Sequence, residues 1–235
     1  MSPALSVVVP CYNEAASLGA LLEAFAAAGA GTDFELLLVD NGSSDGTAAE
    51  LARLLPRYPF AKPVSCPVNL GYGGGILKGL EAASGEALGW THADLQFDPA
   101  AVFEAFRLFR GAGGGRALVK GLRRGRPAAD RFFTAGMALF ESLYLGLPLS
   151  DINGQPVVFG RELAAGWRRP PSDFSLDLYA LASAVRGGFR VIRFPVENRR
   201  RERGESSWNR GLLSRLRLAC RTVRASAAIR RELRG

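Results

Sequence analysis

Apolar and polar positions along the chain alternate between two kinds of pattern. Leu5–Pro10 (LSVVVP) and Phe34–Val39 (FELLLV) are short, β-branched or leucine-rich runs, the pattern of strands buried on both faces. Val64–Cys66, Ala87–Thr91 and Ala117–Lys120 read as further strands, as do Pro156–Phe159 and Arg190–Val196. Between them, apolar residues recur at helical spacing. Leu18, Leu21, Leu22 and Phe25 mark a helix that Asn13 caps at Glu14 and Gly29 closes. Ser43 or Ser44 caps a second helix reaching about Leu55. A third runs from Gly73 to Ala83. Pro99 opens a fourth, with Val102, Phe103, Phe106 and Phe109 inside, and Ser172 caps one that ends at Gly187. Residues 121–131 form a basic loop. Residues 132–149 are long and apolar but broken by Glu141, Gly146 and Pro148, which predicts a half-buried or interfacial helix rather than a membrane span.

Strands alternating with helices of this length predict an α/β fold with a mostly parallel sheet flanked by helices. In such sheets ligands sit beyond the carboxyl ends of the strands. Polar residues cluster at three of those ends: Asn13 and Glu14, then Asp40 and Asn41, then His92, Asp94 and Gln96. They predict one shared site.

Composition adds limits. A chain of 235 residues with 48% apolar and 22% charged residues is an ordinary globular protein, which excludes collagen-like and disordered classes. Its three cysteines, Cys11, Cys66 and Cys220, are too few and too scattered for a disulfide framework, so a reducing compartment is expected. No signal peptide is visible at the start. The net charge of +8 is uneven. Residues 199–235 carry twelve Arg against three Glu, which leaves the other 198 residues at about −1. Arg217, Arg221, Arg224 and Arg231 share one helical stripe opposite Leu212, Leu213, Leu216, Cys220 and Val223. That pattern predicts a basic amphipathic helix over 209–235, suited to an anionic membrane surface. The arginines also admit nucleic-acid binding, but that reading leaves the strand-end clusters unexplained, and no nucleic-acid partner is expected.

The glycine run Gly71, Gly73, Gly74, Gly75 lacks the third glycine of a dinucleotide fingerprint. It is read as allowing close backbone approach near a nucleotide.

Six segments in order, VVVPCYNE (7–14), VDNGSSDGT (39–47), NLGYGGGILKGLEAASGE (69–86), WTHADLQFDP (90–99), DINGQPVVFGRE with the following DFSLDLYALASAVRGGFRVIRFPV (151–196), and RERGESSW (201–208), resemble the family-2 glycosyltransferases of the GT-A fold. The nearest resemblance is to the polyprenyl-phosphate enzymes of the dolichol-phosphate mannose synthase kind. It implies a Rossmann-like nucleotide-diphospho-sugar transferase domain over 1–208. It also implies inverting transfer of a sugar from a GDP- or UDP-sugar to a polyprenyl phosphate. A soluble or glycan hydroxyl acceptor is the alternative.

The resemblance assigns Pro10, Tyr12, Glu14, Asp40, Asn41, Gly71, Gly73, His92 and Ala93 to nucleotide binding. It assigns Asp94 and Gln96, with His92, to a Mg²⁺ or Mn²⁺ ion. His92 stands where the family has an aspartate, and it either ligates the metal or hydrogen-bonds a phosphate. Asn41 stands where the family repeats Asp. A hard cation bridging both phosphates would neutralise the leaving group. Asp94 and Gln96, two apart, would share a face of an extended strand. Arg123, Arg126, Arg131, Arg201 and Ser206 are candidates for donor-diphosphate or acceptor-phosphate binding. Ser207 replaces the family's lysine there, and Arg200 and Arg203 could compensate. Asp151 and Asp177 are the candidate bases, needed for a hydroxyl acceptor and dispensable for an ionised phosphate. The expected setting is cytoplasmic, peripheral on the membrane, with a membrane-protein partner or a homodimer as options.

Overall fold

Residues 2–197 and 223–233 are described by a computed structural model of the chain. The first half alternates as the pattern predicts. It comprises β1 (Leu5–Cys11), α1 (Leu18–Ala28), β2 (Phe34–Asn41), α2 (Thr47–Leu54), β3 (Ala61–Cys66), α3 (Gly71–Ala82), β4 (Ala87–Trp90) and α4 (Ala100–Gly111). The second half comprises β5 (Ala117–Arg124), α5 (Ala128–Leu145), β6 (Val157–Gly160), α6 (Arg161–Ala165), α7 (Leu176–Arg186) and β7 (Arg190–Glu197). A helix over 223–233, α8, follows.

The seven strands form one sheet in the order β3-β2-β1-β4-β6-β5-β7. Only β6 is reversed, running antiparallel to both β4 and β5. β1 pairs with β2 from Leu5↔Phe34 to Cys11↔Asp40 and with β4 from Leu5↔Ala87 to Val8↔Trp90. The strands are apolar on both sides because both faces are covered. Leu5, Val7 and Val9 meet α1, α2 and α4 through Leu22, Phe25, Leu51 and Phe106. Val8, Leu37 and Trp90 meet α3 and α7 through Ile76, Leu178 and Leu181.

Several element ends differ from the sequence reading, each for a local reason. Asn13 does not cap a helix. Its φ of 57° turns the chain, and its Oδ1 accepts the Ser44 N–H at 2.9 Å, so it ties two loops together. Asp45, rather than Ser43 or Ser44, accepts the Thr47 N–H (2.9 Å) at the start of α2. Asp173 does the same for Ser175 (2.9 Å) before α7, while the Ser172 carbonyl accepts from Gly74 (2.8 Å). β5 extends through the predicted basic loop to Arg124, because Gly121–Arg124 pair with Phe194–Glu197 of β7. α5 likewise begins at Ala128, inside that loop.

Helix α3 lies close on the sheet at Gly79, where an added Cβ would stand 2.3 Å from Val8 Cγ1 and 2.9 Å from Val39 Cγ2. Overpacking of this kind costs about 1–3 kcal/mol. Gly79→Val is therefore expected to lower stability by about that amount in urea unfolding.

Glu35 is a buried carboxylate in β2. It accepts from Ser6 Oγ (2.6 Å), Lys62 Nζ (2.7 Å), Ser84 N (2.6 Å) and Ser84 Oγ (2.7 Å). Burial alone would raise its pKa. The bonds from Lys62, Ser6 and Ser84 outweigh burial and bring it down from 4.5 to about 2. A depressed carboxylate contributes stability that is fully present above the unfolded value and is lost as pH falls through the folded one. Unfolding free energy measured from pH 6 to pH 2 is expected to drop below about pH 4.5, and Glu35→Gln is expected to flatten that drop.

Candidate active site

The carboxyl ends of β1, β2 and β4 lie side by side, so the three polar clusters meet at one edge of the sheet. At the β1 end, Tyr12 is 47% exposed, and Glu14 Oε2 accepts the Ser17 hydroxyl at 2.9 Å. At the β2 end, Asp40 is buried and its Oδ1 accepts the Ser43 N–H at 3.0 Å.

Asn41 is fully engaged. Its Oδ1 accepts the Leu70 N–H (3.0 Å), and its Nδ2 donates to the Gly71 carbonyl (2.9 Å). An aspartate here could accept from Leu70 but could not donate to Gly71. The buried amide therefore fastens the end of β2 to the start of α3. Gly71, with φ 81°, and Gly73 stand where a Cβ would come within 2.6 Å of the Ser172 and Pro171 carbonyls. The close approach these glycines permit is to the chain's own 171–173 backbone.

The segment after β4 corrects one premise. Asp94 and Gln96 do not lie on an extended strand. β4 ends at Trp90, Leu95 takes a left-handed φ of 56°, and Asp94 Oδ1 accepts the Gln96 N–H at 3.1 Å. The two residues belong to a tight turn, and the Ala93 methyl beneath it is buried in the core. His92 stacks on Tyr72, with centroids 5.3 Å apart and planes at 19°. Among the described residues, no three His, Cys, Asp or Glu side chains group as a metal cage. An ion held at Asp94 would need ligands from a bound diphosphate, the usual habit of Mg²⁺.

The other half of the edge carries the remaining candidates. Asp151, at φ 37°, holds Arg123 through both oxygens. Its Oδ1 accepts the guanidinium (Nε at 2.7 Å), and its Oδ2 accepts the Arg123 backbone N–H at 2.7 Å. Burial pushes the Asp151 carboxyl up, but the Arg123 bonds and charge outweigh it and hold its pKa below the ordinary value. Arg126 donates to Thr134 Oγ1 (3.1 Å), and Arg131 lies exposed on the first turns of α5. Asp177 is 2% exposed. Its Oδ1 accepts from Lys120 Nζ (3.1 Å) and Gln155 Nε2 (3.0 Å), and its Oδ2 accepts the Tyr72 hydroxyl (3.1 Å). Sequence reasoning passed over Tyr72, Lys120 and Gln155. The one available signal was a lysine closing an otherwise apolar strand, ALVK. Arg201 and Ser206, with Arg200, Arg203 and Ser207, lie outside the described residues, as do Arg217 and Arg221.

The described part of the C-terminal basic segment is not a free helix. Ile229 of α8 is buried in the core, Ser226 donates to the buried Glu141 of α5 (2.7 Å), and the Arg230 guanidinium lies 4.9 Å over the Tyr144 ring.

Solved structures share this arrangement of the sheet and its helices. A glucosyl-3-phosphoglycerate synthase from Mycobacterium tuberculosis, solved with Mn²⁺ and UDP, superposes with a TM-score of 0.71 at 22% identity, over 97% of this chain and 80% of that one. A mannosyltransferase from Pyrobaculum calidifontis, solved with GDP-Man and Mn²⁺, gives 0.64 at 22% identity, over 87% and 59%. The fold is thus GT-A. The family model for glycosyl transferase family 2 matches residues 6–140, and the chain belongs to that family.

Its curated relatives include the undecaprenyl-phosphate 4-deoxy-4-formamido-L-arabinose transferase of Aeromonas hydrophila. The two are 39% identical over 155 residues, which is 63% of this chain and 46% of that protein. The Salmonella enteritidis enzyme of the same name is 30% identical over 87% of this chain and 62% of its own length. A dodecaprenyl-phosphate galacturonate synthase of Rhizobium johnstonii is 37% identical over 40% of this chain and 29% of its own length. The chain spans less than two thirds of the length of these relatives.

Asn41→Asp is expected to destabilise the protein by about 1–3 kcal/mol, since it leaves the Gly71 carbonyl without its donor. Chemical denaturation at pH 7 checks this.

Proposed function

We propose that this chain moves one sugar, with inversion at the anomeric carbon, from a GDP- or UDP-sugar to a polyprenyl phosphate at a membrane surface. The observation that carries the acceptor assignment is the state of the two candidate bases. Asp151 is committed to Arg123, and Asp177 is buried under three donors. A hydroxyl acceptor would need a free base. A phosphate, with its second pKa near 6, is ionised already and attacks without one. The names of the curated relatives agree with that acceptor class.

In this reading Asp40, Tyr12 and Pro10 hold the base and ribose, and Asp94, with Gln96 and His92 beside it, holds Mg²⁺ or Mn²⁺ against the diphosphate. Such an ion neutralises charge on the leaving group. Arg126 and Arg131 face the acceptor phosphate, and Arg123 orients Asp151.

The docking surface in this reading is α5. Phe132 and Leu143 are 84% and 77% exposed, and Leu139 and Phe140 lie along the same face. Arg224 and Arg231 of the adjoining α8 are exposed and suited to anionic headgroups. No helix among the described residues is long and apolar enough to cross a membrane, and the proposed attachment is peripheral, on the cytoplasmic face.

Asp94→Ala is expected to reduce transfer to undecaprenyl phosphate at least about 100-fold while the protein keeps a cooperative melting transition. Retained activity would overturn the metal assignment. Metal-dependent thermal stabilisation by one of the two nucleotide sugars would identify the base. The double variant Leu139→Asp, Leu143→Asp is expected to lose flotation with phosphatidylglycerol vesicles while still binding the nucleotide sugar.

A further inference from the structure

Three aromatic rings stand in a column at the head of the site. The Phe174 and Tyr72 centroids are 4.6 Å apart with planes at 8°, and Tyr72 and His92 follow at 5.3 Å and 19°. The middle ring is tethered through its hydroxyl. Its hydroxyl donates to Asp177 Oδ2 (3.1 Å) and accepts from Gln155 Nε2 (3.0 Å). Asp177 is in turn paired with Lys120, and both are buried. His92 takes part in the column from a segment outside any strand or helix, between the end of β4 and the left-handed turn at Leu95. A side chain on such a segment has no ladder to fix it and is placed by its neighbours. The Phe97 ring meets the imidazole only at a tilt (6.2 Å, 35°), so the stacked Tyr72 ring is the one that sets its plane.

We propose that Tyr72 is the positioning residue for His92. Its ring sets the plane of the imidazole, and the buried Lys120–Asp177 pair, through the phenol oxygen, sets the place of the ring. The wall beside Asp94 is then rigid before any donor arrives. The benefit to donor binding rests on the function proposed above, whereas the positioning itself does not.

His92 is the one histidine of the chain, so its imidazole C–H resonances can be read in the intact protein without assignment. In ligand-free wild type, the stacked phenol ring is expected to shift them upfield. Tyr72→Leu is expected to return them toward free-histidine positions while the remaining spectrum keeps its folded dispersion. Tyr72→Phe, which keeps the ring and loses the tether, is expected to retain the upfield position with broader lines. Unmoved imidazole signals in a folded Tyr72→Leu protein would overturn the proposal. So would equal spectra in Tyr72→Phe and a folded Tyr72→Leu; should Tyr72→Leu fold poorly, a Tyr72→Phe protein whose imidazole lines are as sharp as wild type overturns the tether. Titration of UDP- and GDP-sugars with Mg²⁺ then separates the two readings. Affinity about tenfold weaker in Tyr72→Leu supports positioning of the donor. A wild-type imidazole that is upfield-shifted yet indifferent to every nucleotide sugar overturns the donor reading and leaves the role of Tyr72 standing.

Discussion

A buried lysine–aspartate pair, whose carboxylate also takes the Tyr72 hydroxyl, ties the second half of this molecule to the head of α3. Lys120 comes from β5 and Asp177 from the first turn of α7, and neither reaches solvent. Burial pushes the Lys120 pKa down, and the facing Asp177 charge opposes that shift. Removing either partner would strand a charge, at a cost of about 3–5 kcal/mol. The pair is tolerable because the carboxylate is saturated by Gln155, just before β6, and by Tyr72, at the head of α3. One charge thus fastens four separate segments. Three of them line the edge of the sheet where the polar clusters gather.

The half of that edge built by β1, β2 and β4 was legible from sequence. Runs such as LSVVVP and FELLLV have one stable use, a strand covered on both faces, and polar residues at three successive strand ends point to one place. The helix caps were less legible, because Asn13, Ser43, Asp45 and Thr47 compete within one loop network. Two loops meeting in space decided that Asp45 serves the helix while Asn13 serves the neighbouring loop. The reversed strand was invisible for a related reason. Four apolar residues, VVFG, pack equally well in either direction, and direction is set by pairing with Trp90 and Lys120 across the sheet. The Asp94–Gln96 turn was misjudged because two-residue spacing implies a shared face only if the backbone is extended, which Leu95 prevents.

Asn41 shows how a departure from the family pattern can be internally consistent. The amide supplies a donor that a carboxylate lacks, and the Gly71 carbonyl uses it. The charge given up at position 41 is exchanged for a fixed start to α3, and so for a fixed Tyr72 one residue later. Arg123 and Asp151 make a comparable trade. Each would be conspicuous chemistry alone, and together they form a brace that holds the segment before β6 against the end of β5.

The reversal of β6 has a consequence for how such a protein can change over time. In a wholly parallel sheet, the loops at the carboxyl edge are all exits from strands, and each one starts a covering helix. Altering one therefore disturbs a helix that the core needs. Because β6 runs the other way, the stretch 146–156 arrives at that edge as an entrance and leads directly into a strand. Apart from Leu149, Asp151 and Gln155, which the core and the braces hold, a change there interrupts no junction from a strand into a covering helix. Strand direction thus narrows the constraint on this stretch to a few residues.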